Sequence, residues 1–230
     1  MRISVLGTGV VGQTLSSKLA DLGHDVMMGT RDVQEKLLEN KNDIYGNPPL
    51  SEWLKSNEKV RLVTFAESAG YGEVIINATN GANTLNALDL AAEENLAGKV
   101  LIDVSNPLDF SKGMPPTLLE GVNNTNSLGE EIQKEFPGSR VVKTFNTMNC
   151  YLMVNPDMIA GGNHVNYISG NDPDAKNQVR SLIKGFGWKD ENIIDLGDIT
   201  AARAQESVLL MWVRLMGTLK TGAFNFQIVR

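Results

Sequence analysis

The segment GTGVVG, residues 7–12, lies between the apolar run Arg2 to Leu6 and the stretch Gln13 to Leu22, which is typical of a helix. Glycines spaced G-x-G-x-x-G between a strand and a helix form a dinucleotide-binding turn. The first glycine permits the tight turn, the second lets a pyrophosphate approach the backbone, and the third lets the helix pack against the strand. The unpaired N–H groups and the dipole at the helix start attract phosphates. We predict that a dinucleotide is bound here by Gly7, Thr8, Gly9, Val10, Val11 and Gly12.

A ligand-free glycine-rich turn is the alternative, because the chain contains 22 glycines. Further along, apolar runs alternate with helix-like stretches, which is typical of a parallel sheet covered by helices on both faces. This pattern predicts a Rossmann-type, doubly wound α/β fold with a mainly parallel sheet. The predicted strands of this part are residues 2–6, 25–29, 60–65, 74–78, 99–104 and 140–145. The predicted helices are residues 13–22, a helix from 33, 51–57, a helix bearing Leu85, Leu88, Ala92 and Leu96, and 127–135. Loops that contain proline are predicted at 42–50 and 108–126.

The remaining residues predict a small C-terminal α/β extension. Strands are expected at 164–169 and 193–196, with a helix between them that is capped by Asp172 and has Pro173 in its first turn. A last helix, about 201–219, is apolar nearly all round, so we expect it to be buried, partly against a second subunit. We expect residues 1–146 to form an NADP-binding domain and residues 147–230 a smaller substrate and dimerisation part packed on it. The expected homodimer would use Met211, Trp212 and Met216.

Composition narrows the classes of function. A net charge of −6 argues against a nucleic-acid partner. The chain has one cysteine, Cys150, and two histidines, which argues against an internal disulfide and against a metal site. We expect Cys150 to be a buried structural thiol. The apolar runs are much shorter than the about 20 residues of a membrane span, so we expect a cytoplasmic protein without a membrane partner.

The end of the second strand bears on the identity of the cofactor. NAD-binding sites usually place an acidic residue there for the ribose hydroxyl. This chain instead has Gly29-Thr30-Arg31, and a guanidinium suits a ribose 2′-phosphate. Asp32 is better placed to cap the helix that follows. We therefore predict NADP, bound by Thr30 and Arg31. Arg31 as a solvated surface cation is the alternative, and Lys36 could either assist or face water.

Ligands of parallel sheets bind at the carboxyl ends of the strands. Asn106 could bond the ribose or the carboxamide of the cofactor, or Asn106-Pro107 could simply form a turn. The residues predicted at these ends to contact the cofactor are Ala78, Thr79, Asn80, Asn106 and Pro107.

The sequence has no recognisable catalytic constellation. It lacks a His-Asp pair at motif spacing, a nucleophile elbow, and the lysine-plus-asparagine pattern with which β-hydroxyacid dehydrogenases deprotonate an alcohol. Hydride transfer between two redox cofactors depends on proximity and orientation more than on acid–base groups. We therefore assign no catalytic residue.

Three stretches resemble the family of NADP oxidoreductases that depend on the deazaflavin coenzyme F420. They are MRISVLGTGVVGQTLSSKLADLGHDVMMGTRD at the start, VVKTFNTM at 141–148, and GAFNF at 222–226. The resemblance implies NADP on Thr8 to Gly12, with Thr30 and Arg31 at the 2′-phosphate. It also implies a deazaflavin or flavin-like acceptor in a cleft beside the C-terminal part, stacked on the nicotinamide and bordered by Asn146, Thr147 and Met148.

Together these observations predict an NADP-dependent oxidoreductase that transfers a hydride directly between NADP(H) and coenzyme F420 or a flavin-like acceptor. Two alternatives remain open at this point. One is an NADPH-dependent imine or carbonyl reductase, and the other is a non-catalytic redox sensor that binds NADPH.

Overall fold

The computed structural model describes residues 1–42, 46–122 and 124–229; residues 43–45 of the predicted loop 42–50 and residue 123 of the predicted loop 108–126 lie outside the described residues. The strands are β1 (Arg2–Leu6), β2 (Asp25–Thr30), β3 (Val60–Thr64), β4 (Val74–Asn77), β5 (Val100–Asp103), β6 (Leu108–Asp109), β7 (Thr117–Leu118), β8 (Arg140–Thr144), β9 (Asn166–Ser169) and β10 (Ile193–Asp195). The α-helices are α1 (Val10–Asp21), α2 (Val33–Leu38), α3 (Leu50–Lys55), α4 (Phe65–Tyr71), α5 (Thr84–Ala91), α6 (Glu93–Leu96), α7 (Leu128–Glu135), α8 (Cys150–Val154), α9 (Pro173–Gly185) and α10 (Ala202–Leu219).

Eight strands form one sheet in the order β10-β9-β8-β5-β4-β1-β2-β3. The six strands from β3 to β8 in this order are parallel and follow the strand order of dinucleotide-binding sheets. β9 pairs antiparallel with β8, and β10 pairs parallel with β9. The predicted Rossmann-type fold is therefore confirmed, and the C-terminal strands extend the same sheet. β6 and β7 form a separate two-stranded ladder within the predicted loop 108–126.

The sheet is covered on both faces, which explains the continuous apolar runs of its strands. In β4, Val74 and Ile76 belong to the apolar cluster that includes residues of α1, α8 and α9. Ile75, between them, belongs to the cluster that includes residues of α4, α5 and α7. Because successive side chains of a strand point to opposite faces, both faces require apolar residues.

The structure differs from the predicted helices in two ways. The single helix through Leu85 and Leu96 is wrong, because the chain breaks at Ala92, with φ of +70°, into α5 and α6. Apolar periodicity alone cannot detect this one-residue break. A further helix, α4, was not predicted; Thr64 and Glu67 form a capping box that starts it directly after β3.

The C-terminal helices confirm one prediction and bear in part on another. Asp172 caps α9 by accepting from the backbone N–H of Ala175 at 2.8 Å, and Pro173 is in its first turn, as predicted. The expectation that α10 is buried, partly against a second subunit, is met in part within the single chain: Trp212 is 9% exposed, whereas Met211 is 58% exposed, and the contact with a second subunit stays a prediction. No helix among the described residues has the length and apolar character needed to cross a membrane.

Candidate functional site

The glycine-rich turn has the close contacts that its spacing predicts. Gly7 has φ of +118°, and a Cβ at this position would lie 2.6 Å from the carbonyl oxygen of Ala78. A Cβ on Gly12 would lie 2.1 Å from the carbonyl oxygen of Gly7. A Cβ on Gly9 would meet nothing within 4 Å. Gly7 and Gly12 therefore serve the fold, whereas Gly9 leaves open space above the backbone.

Helix α1 begins at Val10, three residues earlier than predicted, and Gly9 is its N-cap. No side chain caps this helix, and the N–H of Gln13 donates to the carbonyl of Gly9 at 2.9 Å. The first N–H groups of a helix have no acceptor within the helix. Those of α1 are therefore available to an anion at the carboxyl edge of the sheet.

A cavity of about 410 Å³ lies beside this helix start. Its walls combine the turn and α1 with the segment that follows α2. The Nζ of Lys36 lies 2.6 Å from a carboxylate oxygen of Glu39 at this wall. The lining residues are Thr8, Gly9, Val10, Gln13, Lys36, Glu39, Asn40, Lys41, Asn42, Asn47, Pro48, Pro49 and Leu50.

Thr30 and Arg31 lie at the end of β2, outside the lining of this cavity. Thr30 is buried and Arg31 is exposed. Arg31 makes no hydrogen bond or ion pair with the described residues. Asp32 caps α2 by accepting from the N–H of Glu35 at 2.9 Å, as predicted. The carboxylate of Asp32, which follows Arg31 in the sequence, is therefore engaged at the start of α2.

At the end of β4, the polar side chains are used within their own turn. Ala78 directly follows the strand, and its carbonyl oxygen lies against Gly7. The Thr79 hydroxyl donates to Asn77 Oδ1 at 2.6 Å, and Asn80 Oδ1 accepts from the N–H of Ala82 at 3.0 Å. The Asn77 amide in turn donates to Asp103 at 2.8 Å.

The loops after β5 and β8 are joined by a pair of asparagines. Asn106 Nδ2 donates to the backbone carbonyl of Asn146 at 2.8 Å, and Asn146 Nδ2 donates to Asn106 Oδ1 at 3.0 Å. Asn146, Thr147 and Met148 are all buried, as is Pro107. The structure therefore brings together the predicted cofactor residue Asn106, which is half-buried, and the predicted substrate residue Asn146.

A buried ion cluster at this edge was not predicted. Lys143 Nζ lies 2.7 Å from Asp103 and 2.8 Å from Glu206, and it donates to the carbonyl of Ser105 at 2.8 Å. Glu206 also accepts from the N–H groups of Leu128 and Gly129, at the start of α7. Burial opposes the charge of Lys143, but the two carboxylates outweigh it and raise the pKa of the lysine.

The sequences of β5 and β8 each contain a residue that indicates a buried ion pair. Lys143 interrupts the apolar run of β8, and Asp103 ends that of β5. A charge within a strand that is buried on both faces requires a partner of opposite sign. Glu206, more than 60 residues further on, carries no comparable signal.

Cys150 is buried, as predicted, and burial raises the pKa of its thiol. The Thr14 hydroxyl donates to its sulfur at 3.7 Å. In the described part of the chain, no group of three His, Cys, Asp or Glu side chains is arranged to hold a metal ion.

The chain is similar to a known family and to a protein of known structure. Residues 2–107 match the model of the family described as NADP oxidoreductase, coenzyme F420-dependent. A crystal structure of a candidate F420-dependent NADP reductase from Arthrobacter sp. FB24 is 52% identical, covers 100% of both chains and superposes with a TM-score of 0.93.

Two curated proteins are more distant. The F420-dependent NADP reductase of Methanothermobacter marburgensis is 25% identical over 94% of this chain and 92% of its own length. The metalloreductase STEAP3 of Rattus norvegicus is 28% identical over 91% of this chain, which spans only 36% of that protein's length.

Proposed function

This chain belongs to the family of coenzyme F420-dependent NADP oxidoreductases, and we propose that it transfers a hydride directly between NADP(H) and a deazaflavin or flavin-like acceptor. Membership makes it an NADP-dependent oxidoreductase; the acceptor and the directness of the transfer are the proposal. When bound, NADP(H) supplies or accepts the hydride. The observation that carries the proposal is the uncapped start of α1 beside an open cavity.

The residues at this helix start fit a dinucleotide. The open space above Gly9 accommodates a pyrophosphate, and the first N–H groups of α1 donate to its oxygens. Lys36 and Lys41 line the same cavity and supply positive charge in a chain whose net charge is −6. Gln13 donates to the Thr8 carbonyl at 2.9 Å and so steadies the turn.

Thr30 and Arg31 set the choice of NADP over NAD in this proposal. The guanidinium has no partner among the described residues, and a 2′-phosphate would provide one. The neighbouring Asp32 caps α2, so its carboxylate is directed to the helix backbone.

The acceptor is placed at the ends of β5 and β8. In this proposal, residues 1–146 hold the cofactor, with Ala78, Thr79, Asn80, Asn106 and Pro107 beside its nicotinamide half. Residues 147–230, together with the turn Asn146-Thr147-Met148, border the acceptor. The turn 146–148 is buried and Asn146 is bonded to Asn106, which suits the positioning of two rings rather than proton transfer.

The ionisable groups near this edge support direct hydride transfer over imine or carbonyl reduction. Reduction of an imine or carbonyl requires a proton donor beside the reacting atom. Lys143, the nearest buried cation, is held by two carboxylates and a carbonyl, and its raised pKa disfavours proton release.

The test is a fluorescence titration with NADPH and NADH, followed by NADPH oxidation with F420 or FMN as the acceptor. We expect tight NADPH binding, weaker NADH binding, and turnover of F420 or FMN. Failure to bind NADPH would contradict the proposal. Tight binding without turnover of either acceptor would favour a redox sensor.

We also propose that the chain forms a homodimer through the outer face of α10. Of the residues expected there, Met211 faces outward, whereas Trp212 stacks on Phe224 with ring centroids 5.2 Å apart and Met216 packs beside it. Met211 borders a groove of about 720 Å³ between α10 and the segment that contains β7. Analytical ultracentrifugation should give a dimer for the wild-type chain and a monomer for Met211→Lys.

A further inference from the structure

The amides of the Asn106–Asn146 pair differ in how many of their polar atoms are engaged. Both polar atoms of the Asn106 side chain are engaged. Its Nδ2 donates to the Asn146 backbone carbonyl, and its Oδ1 accepts from Asn146 Nδ2. Asn146 Nδ2 has a second acceptor, the Gln205 carbonyl of α10, at 3.1 Å. Of the four polar atoms in the two side chains, Asn146 Oδ1 alone is without a hydrogen-bond partner among the described residues.

Asn146 Oδ1 is buried and has no hydrogen-bond partner among the described residues. The side chain of Asn146 is only 1% exposed. Rotating the amide by 180° would not help, because the oxygen would then face two other oxygens, those of Asn106 Oδ1 and the Gln205 carbonyl. Its orientation is therefore determined, and a buried acceptor in a fixed orientation calls for a specific explanation.

The surroundings prevent this oxygen from finding a partner within the chain. The Gln205 side chain is itself fixed, since its Oε1 accepts from Ser169 at 2.5 Å. Lys143 holds the carbonyl of Ser105, the residue before Asn106, at 2.8 Å. The loop after β5 is therefore held by the ion cluster through the Ser105 carbonyl, and the loop after β8 is held by α10 through the Gln205 carbonyl.

We infer that Asn146 Oδ1 accepts a hydrogen bond from the carboxamide NH₂ of the nicotinamide, and that Asn106 is a positioning residue that orients it. The inference rests on the proposed NADP(H) function. Only an N–H or O–H donor can satisfy this atom. The nicotinamide carries such a donor as a primary amide on its ring.

The position of the pair in the sheet fits this end of the cofactor. The sheet order places β4 between β1 and β5, with β8 next. Strands lie about 4.8 Å apart, so the ends of β5 and β8 lie about 10 and 14 Å along the edge from the glycine turn. A ribose and a pyridine ring extending from a pyrophosphate on α1 cover this interval.

The first test uses the wild-type protein and two analogues of NADP⁺. In the 3-acetylpyridine analogue a methyl replaces the NH₂ and the carbonyl remains; the thioamide analogue retains the NH₂. We expect the acetyl analogue to bind about tenfold more weakly than NADP⁺, the size of one lost buried hydrogen bond, and the thioamide analogue to bind comparably. Equal affinity for the acetyl analogue and NADP⁺ would overturn the inference.

The second test uses variants to locate the acceptor atom. Asn146→Ala should bind the acetyl analogue and NADP⁺ with equal affinity, because the discriminating oxygen is gone. Asn192→Ala removes another buried asparagine, distant in the chain and bonded to the Gly162 carbonyl at 2.7 Å, and should keep the tenfold ratio. Retention of that ratio in Asn146→Ala would assign the discrimination to another group and overturn the inference.

The outcomes separate this inference from the proposed function. A wild-type chain that binds no NADP(H) would contradict both. A chain that binds NADPH tightly but does not discriminate against the acetyl analogue would contradict only the inference. If Asn146→Ala raised the KM for the acceptor while leaving the analogue ratio at tenfold, the oxygen would serve the acceptor ring, which also overturns it. If Asn146→Ala did not fold, the wild-type comparison of analogues would still decide.

Discussion

The two ends of the sheet's carboxyl edge use their polar groups in opposite ways. At β1 and β2, backbone N–H groups, Arg31 and Lys36 lie at an open cavity or in solvent. At β5 and β8, the half-buried Asn106 bonds the buried Asn146, and the buried Lys143 is paired with Asp103 and Glu206. The first end is suited to attract charged phosphates, and the second to hold two rings in a fixed geometry.

This difference has a physical cause. Phosphate affinity comes from charges and dipoles that need no exact placement, so flexible surface cations suffice. Ring positioning requires side chains that do not move, and buried, fully bonded groups provide this at a high cost in desolvation. Substitutions in the buried ion cluster should therefore affect mainly folding, and substitutions of the surface cations at the β1–β2 end should affect mainly binding.

The largest effect is expected for Lys143→Met. Removing the cation leaves Asp103 and Glu206 buried without a counter-charge, and this should lower the free energy of unfolding by about 3–5 kcal/mol. Urea denaturation measures it. The control Lys134→Met removes a surface lysine 3.9 Å from Glu131 and should leave stability almost unchanged. Equal midpoints for Lys143→Met and the wild type would refute the stabilising role of the cluster.

The pH dependence of the same cluster follows from the raised pKa of Lys143. A raised folded-state pKa adds stability that is fully present below the ordinary lysine value of 10.5 and is lost as pH rises through the folded-state pKa. The stability gap between the wild type and Lys143→Met should therefore narrow above pH 10.5. Denaturation series at neutral and alkaline pH check this, and a constant gap would argue against an ionised lysine.

Two glycines of one motif should separate folding from binding. Gly12→Ala places a Cβ 2.1 Å from the Gly7 carbonyl oxygen, so we expect about 1–3 kcal/mol of destabilisation. Gly9→Ala meets nothing within 4 Å and should melt like the wild type, yet bind NADPH more weakly. Thermal melting and NADPH titration of both variants measure the contrast. A Gly9→Ala variant with unchanged affinity would place the pyrophosphate elsewhere.

A smaller effect, confined to binding, is expected for Arg31→Glu. Loss of the guanidinium and the added repulsion should weaken NADPH binding roughly ten- to a hundredfold and leave NADH binding nearly unchanged. Parallel titrations with the two cofactors measure the ratio. Arg61→Glu, which alters an exposed arginine of β3 that pairs with Asp25 at the amino end of β2, serves as the charge-matched control. An unchanged NADPH affinity in Arg31→Glu would remove Arg31 from the 2′-phosphate site.

The smallest effect is expected for Glu39→Gln. Glu39 pairs with Lys36 at 2.6 Å on the wall of the cavity, so its removal frees a cation and deletes a repulsive charge. We expect NADPH affinity to rise roughly two- to fivefold at low salt, and the gain to shrink as salt is added. A titration series in sodium chloride tests this. A gain that is independent of salt would point to a steric cause.

Local sequence determined the β1–turn–α1 unit, the strand and helix alternation, and the Asp32 and Asp172 caps. Each depends on residues within one or two turns of one another, whose spacing fixes the backbone conformation. Only the tertiary structure decided the Lys143 cluster, the Asn106–Asn146 pair and the outward face of α10 at Met211. Lys143 meets Asp103 and Glu206 because β8 lies beside β5 and α10 packs over both. Contacts between residues that are 40 to 63 positions apart depend on the order of the strands in the sheet, and the spacing of residues along the sequence does not determine that order.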